Sequence, residues 1–132
     1  MREILFRGKT KHGGEWVYGG VCCSAGNTII VSFSERILTT IEGKRVLPET
    51  VGQYTGLTDK NGKKIFEGDI CQTKGFPLID DKPFVVEWND DECSFYWRDV
   101  AGTDEFNIGV SQNTTIIGNI HDNPELLKGG AE

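Results

Sequence analysis

Along most of this chain, apolar and polar positions alternate with a period of two in short runs, and glycine-containing turns separate the runs. Residues 2 to 8 (Arg-Glu-Ile-Leu-Phe-Arg-Gly) and 15 to 21 (Glu-Trp-Val-Tyr-Gly-Gly-Val) predict a hairpin. Its loop, Lys9 to Gly14, supplies the positive-φ pair Gly13-Gly14. The pair Gly26-Asn27 then turns the chain into a third run, Thr28 to Phe33, which makes a meander. Residues 34 to 41 read either as a short helix capped by Ser34, with Ile37, Leu38 and Ile41 on one face, or as continued strand.

The pattern resumes at Pro48 to Gly56 as a short strand or bridging segment, since its glycines weaken a strand interior. Leu57 to Phe66 predicts a tight hairpin-like turn, with Asp59 accepting from the backbone and Asn61-Gly62 taking left-handed geometry. A second turn, Glu67-Gly68-Asp69, feeds a strand from Ile70 to Lys74, and a loop from Gly75 to Lys82 follows. Phe84 to Trp88 and Cys93 to Arg98 then pair around the turn Asn89 to Glu92, with Trp88, Phe95 and Trp97 available for cross-strand aromatic contacts. Phe106 to Val110 is one more short strand, and Thr115 to Ile120 closes the series. Asn123 then caps a short C-terminal helix with Pro124 at its first position, Leu126 and Leu127 facing the core, and Gly129-Gly130 as the stop.

These runs recur every eight to twelve residues without a helix long enough for a crossover, so the expected fold is all-β and mainly antiparallel. The expected organisation is two small lobes, residues 1–50 forming a meander and 51–132 forming a small barrel of the Src-homology-3 kind. Composition supports this: Ile, Val and Thr total 32 of 132 residues and Gly 17, against three Ala and one Met. A chain of 132 residues is one ordinary domain or two very small ones, which excludes a large multidomain enzyme.

Charge adds a division that the net value of −6 hides. Residues 1–66 hold ten Lys/Arg against six Asp/Glu, while residues 67–132 hold four against fourteen. The acidic half repels a phosphate backbone, so nucleic-acid binding would fall to the basic half. Opposite charges at the two ends also favour attraction between neighbouring copies, and a homo-oligomer is expected.

Candidate chemistry is sparse. Cys22, Cys23, Cys71 and Cys93 lack zinc-ligand spacing and read as reduced thiols in a cytoplasm. No signal peptide or membrane-spanning run is visible. His12 reads as a solvated turn residue, and Asp122 cannot easily orient its strand neighbour His121 for nucleophilic chemistry with a cysteine. Glu87, Asp90, Asp91, Glu92 and Asp99 lack the spacing of a calcium loop, and Glu67 with Asp69 is a bare acid–base possibility. With no phosphate-cradling loop, nucleophile elbow or HExxH, neither an enzyme nor a cofactor or metal site is expected. Lys9, Lys11, Lys60, Lys63 and Lys64 lie in turns close in sequence to Trp16, Tyr18 and Tyr54, a mixture that single-strand binders use.

The segment from Glu49 through Gln53-Tyr54-Thr55-Gly56 and Asp59-Lys60-Asn61-Gly62 to Ile70 resembles the hallmark of the YopX family of phage and prophage proteins. The family's opening pattern is matched by Ile4 to Lys9 and Trp16 to Gly19, and its closing pattern by Ile117-Gly-Asn-Ile120 with Asn123 to Leu127. His121 stands where relatives often carry Tyr. The resemblance implies a small all-β protein of a temperate phage or prophage, acting in the bacterial cytoplasm, with no catalytic residues to carry over. The expected function is therefore a non-enzymatic, self-associating module that binds a phage or host protein. The expected interaction surface is Gln53, Tyr54, Asp59, Lys60, Asn61, Lys63, Lys64, Trp16 and Tyr18. Single-stranded nucleic-acid binding by the basic half is the alternative.

Overall fold

The computed structural model describes residues 3–33, 41–74, 82–99, 105–107 and 113–131. The chain divides into two compact units, Met1–Tyr54 and Thr55–Glu132. It is mainly antiparallel β, with two sheets and almost no helix. No helix among the described residues is long and apolar enough to cross a membrane.

In the first unit, β1 (Phe6–Lys9), β2 (Trp16–Ser24), β3 (Asn27–Phe33) and β4 (Ile41–Arg45) form a meander in the order β4-β3-β2-β1, and β1 also pairs with the start of β5 (Gly52–Thr58). The long strand β2 serves two partners: Trp16 to Gly19 pair with β1, and Gly20 to Ser24 pair with β3. Its hairpin to β3 turns on Ala25 and Gly26, both with positive φ, one residue earlier than the Gly26-Asn27 pair the sequence suggested. Ser24 faces Asn27 across this two-residue loop, whose left-handed backbone matches the twist of the strands. Residues 34–40 of the ambiguous segment lie outside the described residues. Ile41 opens β4, a strand whose single apolar residue and central glycine hid it from the alternation pattern.

In the second unit, β6 (Lys64–Phe66) neighbours β5, and five further strands form an open sheet in the order β10-β9-β8-β7-β11. They are β7 (Asp69–Gln72), β8 (Phe84–Asn89), β9 (Ser94–Asp99), β10 (Glu105–Asn107) and β11 (Thr115–Asn119). The strands expected at Ile70 to Lys74, Phe84 to Trp88, Cys93 to Arg98 and Thr115 to Ile120 are present, but the Src-homology-3-type barrel expected of them is not, since the sheet is not closed. Closure requires the outermost strands to pair with each other, and here β10, three residues long, and β11 end opposite edges. The expected strand from Phe106 to Val110 overlaps β10, and residues 108–110 lie outside the described residues.

One face of this sheet builds the core. Cys71, Phe84, Val86 and Trp97 pack with Ile65 of β6, and Leu57, Phe95 and Ile116 complete the cluster. Burying each large apolar side chain contributes roughly 1.5–3 kcal/mol. The Phe84 and Trp97 rings lie 5.8 Å apart. On the opposite face, register places Glu87 against Tyr96 and one pair away from Arg98. The Tyr96 hydroxyl and Arg98 Nε each donate to Glu87 at 2.8 Å. Burial opposes ionisation of Glu87, yet these two donors hold its carboxyl below the usual range.

The C-terminal segment Pro124–Ala131 is a 3-10 helix. Asn123 does not cap it in the expected manner. Its Oδ1 instead accepts from Asn119 N–H at 3.2 Å, folding the segment back against β11 beside a bulge at Ile116/Gly118. Leu126 is half-buried there, whereas Leu127 is exposed and does not face the core. Gly118 leaves the room this needs, since a Cβ there would lie 2.6 Å from Asn123 Oδ1 and 3.0 Å from Leu126 Cδ1. Gly118→Ala is expected to cost about 2 kcal/mol in urea unfolding, because the Asn123 side chain must leave its hydrogen bond. In an Asn123→Ala background the same change should cost less than half as much.

Candidate interaction surfaces

The turn joining β5 to β6 is organised by one carboxylate. Asp59 is 5% exposed, and its Oδ1 accepts from Asn61 N–H at 2.8 Å and Lys63 N–H at 3.0 Å. Oδ2 accepts from Ile116 N–H at 3.2 Å on β11, and Lys60 N–H donates to Thr114 O at 2.9 Å. Burial alone would raise this carboxyl's pKa, but the three backbone donors and the Lys63 charge hold it below its ordinary value. Gly62 takes the left-handed conformation (φ 80°) that lets the turn close around Asp59. The side chains of Lys60, Asn61, Lys63 and Lys64 are exposed, so the turn presents three cations on a fixed backbone.

Trp16 and Tyr18 stand on β2 opposite Lys9 and Arg7, which places all four on one sheet face. Arg7 Cζ lies 4.5 Å and Lys9 Nζ 5.6 Å from the Trp16 ring centroid. Tyr18 is 48% exposed, whereas Arg7 is buried. Gln53 is half-buried on β5. Tyr54 is buried, and its N–H donates to Leu5 O at 2.8 Å. The sequence-selected residues therefore fall into one set in the first unit and another in the second. Two of them, Tyr54 and Asp59, serve the fold.

Sequence reasoning missed a groove in the first unit. Thr10, His12, Glu15, Lys44 and Arg45 line an open cleft of about 410 Å³. Its floor is preformed, because the Thr10 hydroxyl donates to His12 O at 2.9 Å and accepts from Glu15 N–H at 3.2 Å. Lys11 N–H donates to Arg45 O, tying the loop to the end of β4. Lys44 meets Glu15 at 3.4 Å in an ion pair with both side chains more than half exposed, which contributes less than about 1 kcal/mol. Because β4 has no apolar alternation, nothing in the sequence signalled that Lys44 and Arg45 would face the 10–15 loop.

A second surface is the tip of the β8–β9 hairpin, at the turn Asn89 to Glu92 that the sequence located. Asn89 Oδ1 accepts from Asp91 N–H and Glu92 N–H, and Cys93 takes positive φ (51°) to complete the turn. Asp90, Asp91 and Glu92 are exposed and make no ion pair among the described residues. Trp88 beside them is 40% exposed, held edge-on to Phe95 at 5.0 Å.

The remaining sequence candidates are accounted for locally. Asp69 accepts from Phe66 N–H at 2.7 Å, and Asp122 accepts from Asn119 Nδ2 at 3.2 Å. All four cysteines are free thiols, Cys71 buried and the others exposed. Among the described residues, no three His, Cys, Asp or Glu side chains gather as metal ligands.

Together these features define a class: an antiparallel β protein with open sheets, turns stapled by buried carboxylates, and charged surfaces on preformed hairpins. The chain belongs to the YopX family, whose model, described as YopX protein, matches residues 5–128. Among solved structures it is similar to protein EF1440 from Enterococcus faecalis, with 24% identity over 96% of this chain and 99% of that one, and a TM-score of 0.59. At that identity the likeness carries the fold alone. A search of the curated proteins found no match.

Proposed function

We propose that this YopX protein is a non-enzymatic interaction module of phage or prophage origin that self-associates in the bacterial cytoplasm and engages a phage or host protein. The observation that carries the self-association is the uneven charge of the two units. The first holds seven Lys/Arg and five Asp/Glu, the second seven and fifteen, so their formal charges are +2 and −8. Unlike charges on separate units favour contacts between neighbouring copies. The directions of the resolved pKa shifts fit a non-catalytic role: Asp59, Glu87 and Arg98 are all held more firmly in their charged forms. A general acid or base working near neutrality needs the opposite tuning.

Light scattering across ionic strength tests this. The protein should be oligomeric at low salt and dissociate toward roughly 1 M salt, where the screening length falls to about 3 Å. A monomer under both conditions would overturn the reading. The shared face of Lys9, Trp16 and Tyr18 supports a second reading, single-stranded nucleic acid tracked by cations and stacked on aromatics. Its expected result is salt-dependent binding of oligothymidylate that weakens when Lys9 and Tyr18 become Ala. No binding at low salt would remove it.

A further inference from the structure

We infer that self-association runs through one specific contact: the acidic Trp88 hairpin of one copy seats in the Lys44/Arg45 groove of a second copy. The inference rests on the self-association proposed above and names its two surfaces.

Charge complementarity selects the occupant. The hairpin tip offers three carboxylates, Asp90, Asp91 and Glu92, that have no cationic partner among the described residues. The groove offers Arg45, and Lys11 from its loop, likewise without an ion pair among the described residues. Lys44 is engaged only by the solvent-screened Glu15, which an incoming carboxylate can displace at little cost.

Shape and rigidity agree with charge. A 410 Å³ cleft lies within the roughly 300–1,000 Å³ of ordinary binding pockets and has room for an indole ring. Trp88 is the aromatic beside the acidic tip, already ordered against Phe95, so docking it loses little side-chain freedom. The tip backbone is held by Asn89, and the groove floor by Thr10. Two preformed surfaces with an aromatic anchor and a charged rim match the layout in which a few central residues carry most of the binding energy. Hairpin and groove are different patches, so each copy offers one of each and can join a ring, a chain or a reciprocal pair.

The test uses charge reversal and complementation on the full chain. One variant carries Asp90→Lys, Asp91→Lys and Glu92→Lys, the other Lys44→Glu and Arg45→Glu, each checked for native circular dichroism. Sedimentation velocity at low salt should show each alone weakened roughly 100-fold in association. An equimolar mixture should recover association, because the intact hairpin of one variant meets the intact groove of the other and the two reversed surfaces match in the same way. Trp88→Ala should weaken association about tenfold or more. Association that persists in both variants overturns this contact and leaves self-association standing. A monomeric wild type at low salt overturns both. Loss of oligothymidylate binding in the groove variant with association unchanged would assign the groove to nucleic acid and overturn the inference.

Discussion

Gly19→Ala is expected to destabilise the first unit by about 3 kcal/mol or more, a large fraction of the roughly 5–15 kcal/mol that holds an ordinary domain folded. A Cβ at Gly19 would overlap the carbonyl oxygen of Val31, with the carbonyl carbon at 2.8 Å and Ile30 Cγ2 at 3.4 Å. The obstacle is main chain, so no rotamer change relieves it. Neither can β3 retreat, since Val31 pairs with Gly20 on one side and Gly43 on the other. The closeness arises because β2 passes at this point from pairing with β1 to pairing with β3. Gly20→Ala is the matched control: its Cβ meets nothing within 4 Å, and it should change stability by less than about 1 kcal/mol. Circular dichroism and urea unfolding of the two variants check the pair. Equal effects would mean that strand propensity, rather than the close approach, decides this position.

Asp59→Ala is expected to cost about 3 kcal/mol, because three backbone N–H groups lose their acceptor at once. Asp59→Asn keeps one oxygen but turns an amide N–H₂ toward donors, and should cost roughly half to two-thirds as much. The pH dependence separates a charge effect from simple packing. A carboxyl whose pKa is depressed on folding contributes stability above its unfolded value, near 3.8, and loses it as pH falls through the native value. The stability gap between wild type and Asp59→Asn should therefore be full at pH 6 and shrink as pH drops below about 4. A gap independent of pH would show that the ionised form of Asp59 is not what closes the turn. Glu87 shifts in the same direction and steepens the acid limb in both proteins equally.

Much of the fold was legible because it depends on local patterning. The runs at 28–33, 70–74, 84–88 and 115–120 became β3, β7, β8 and β11 with small changes at their ends. Gly13, Gly62 and Gly68 took the positive φ that their turn context implied. Asp59 was legible as a backbone acceptor within its own turn, but its reach to Ile116, 57 residues away, was not. The strand β4 was missed because Ile-Glu-Gly-Lys-Arg has no alternation, and its pairing with β3 comes from tertiary placement. The barrel was inferred from strand count, and strand count does not reveal which edges pair.

The candidate surfaces divide along the same line. Lysines in turns and aromatics in strands were visible, so Lys60, Lys63, Lys64, Trp16 and Tyr18 could be named. The groove was not, since Thr10 and Arg45 come together only when β4 returns beside the 10–15 loop. Trp88 was readable as half of an aromatic pair, while its 40% exposure depended on where the core ended.

By itself, then, the sequence determined an antiparallel β protein of the YopX family, because period-two patterning, turn glycines and family motifs are properties of neighbouring residues. Tertiary structure alone decided that the sheets stay open, that Gly19 and Gly118 sit under other atoms, and that Lys44 and Arg45 line a groove while Asp90, Asp91 and Glu92 crown a hairpin. Those facts depend on contacts between residues far apart in the chain, and no local pattern encodes such distances.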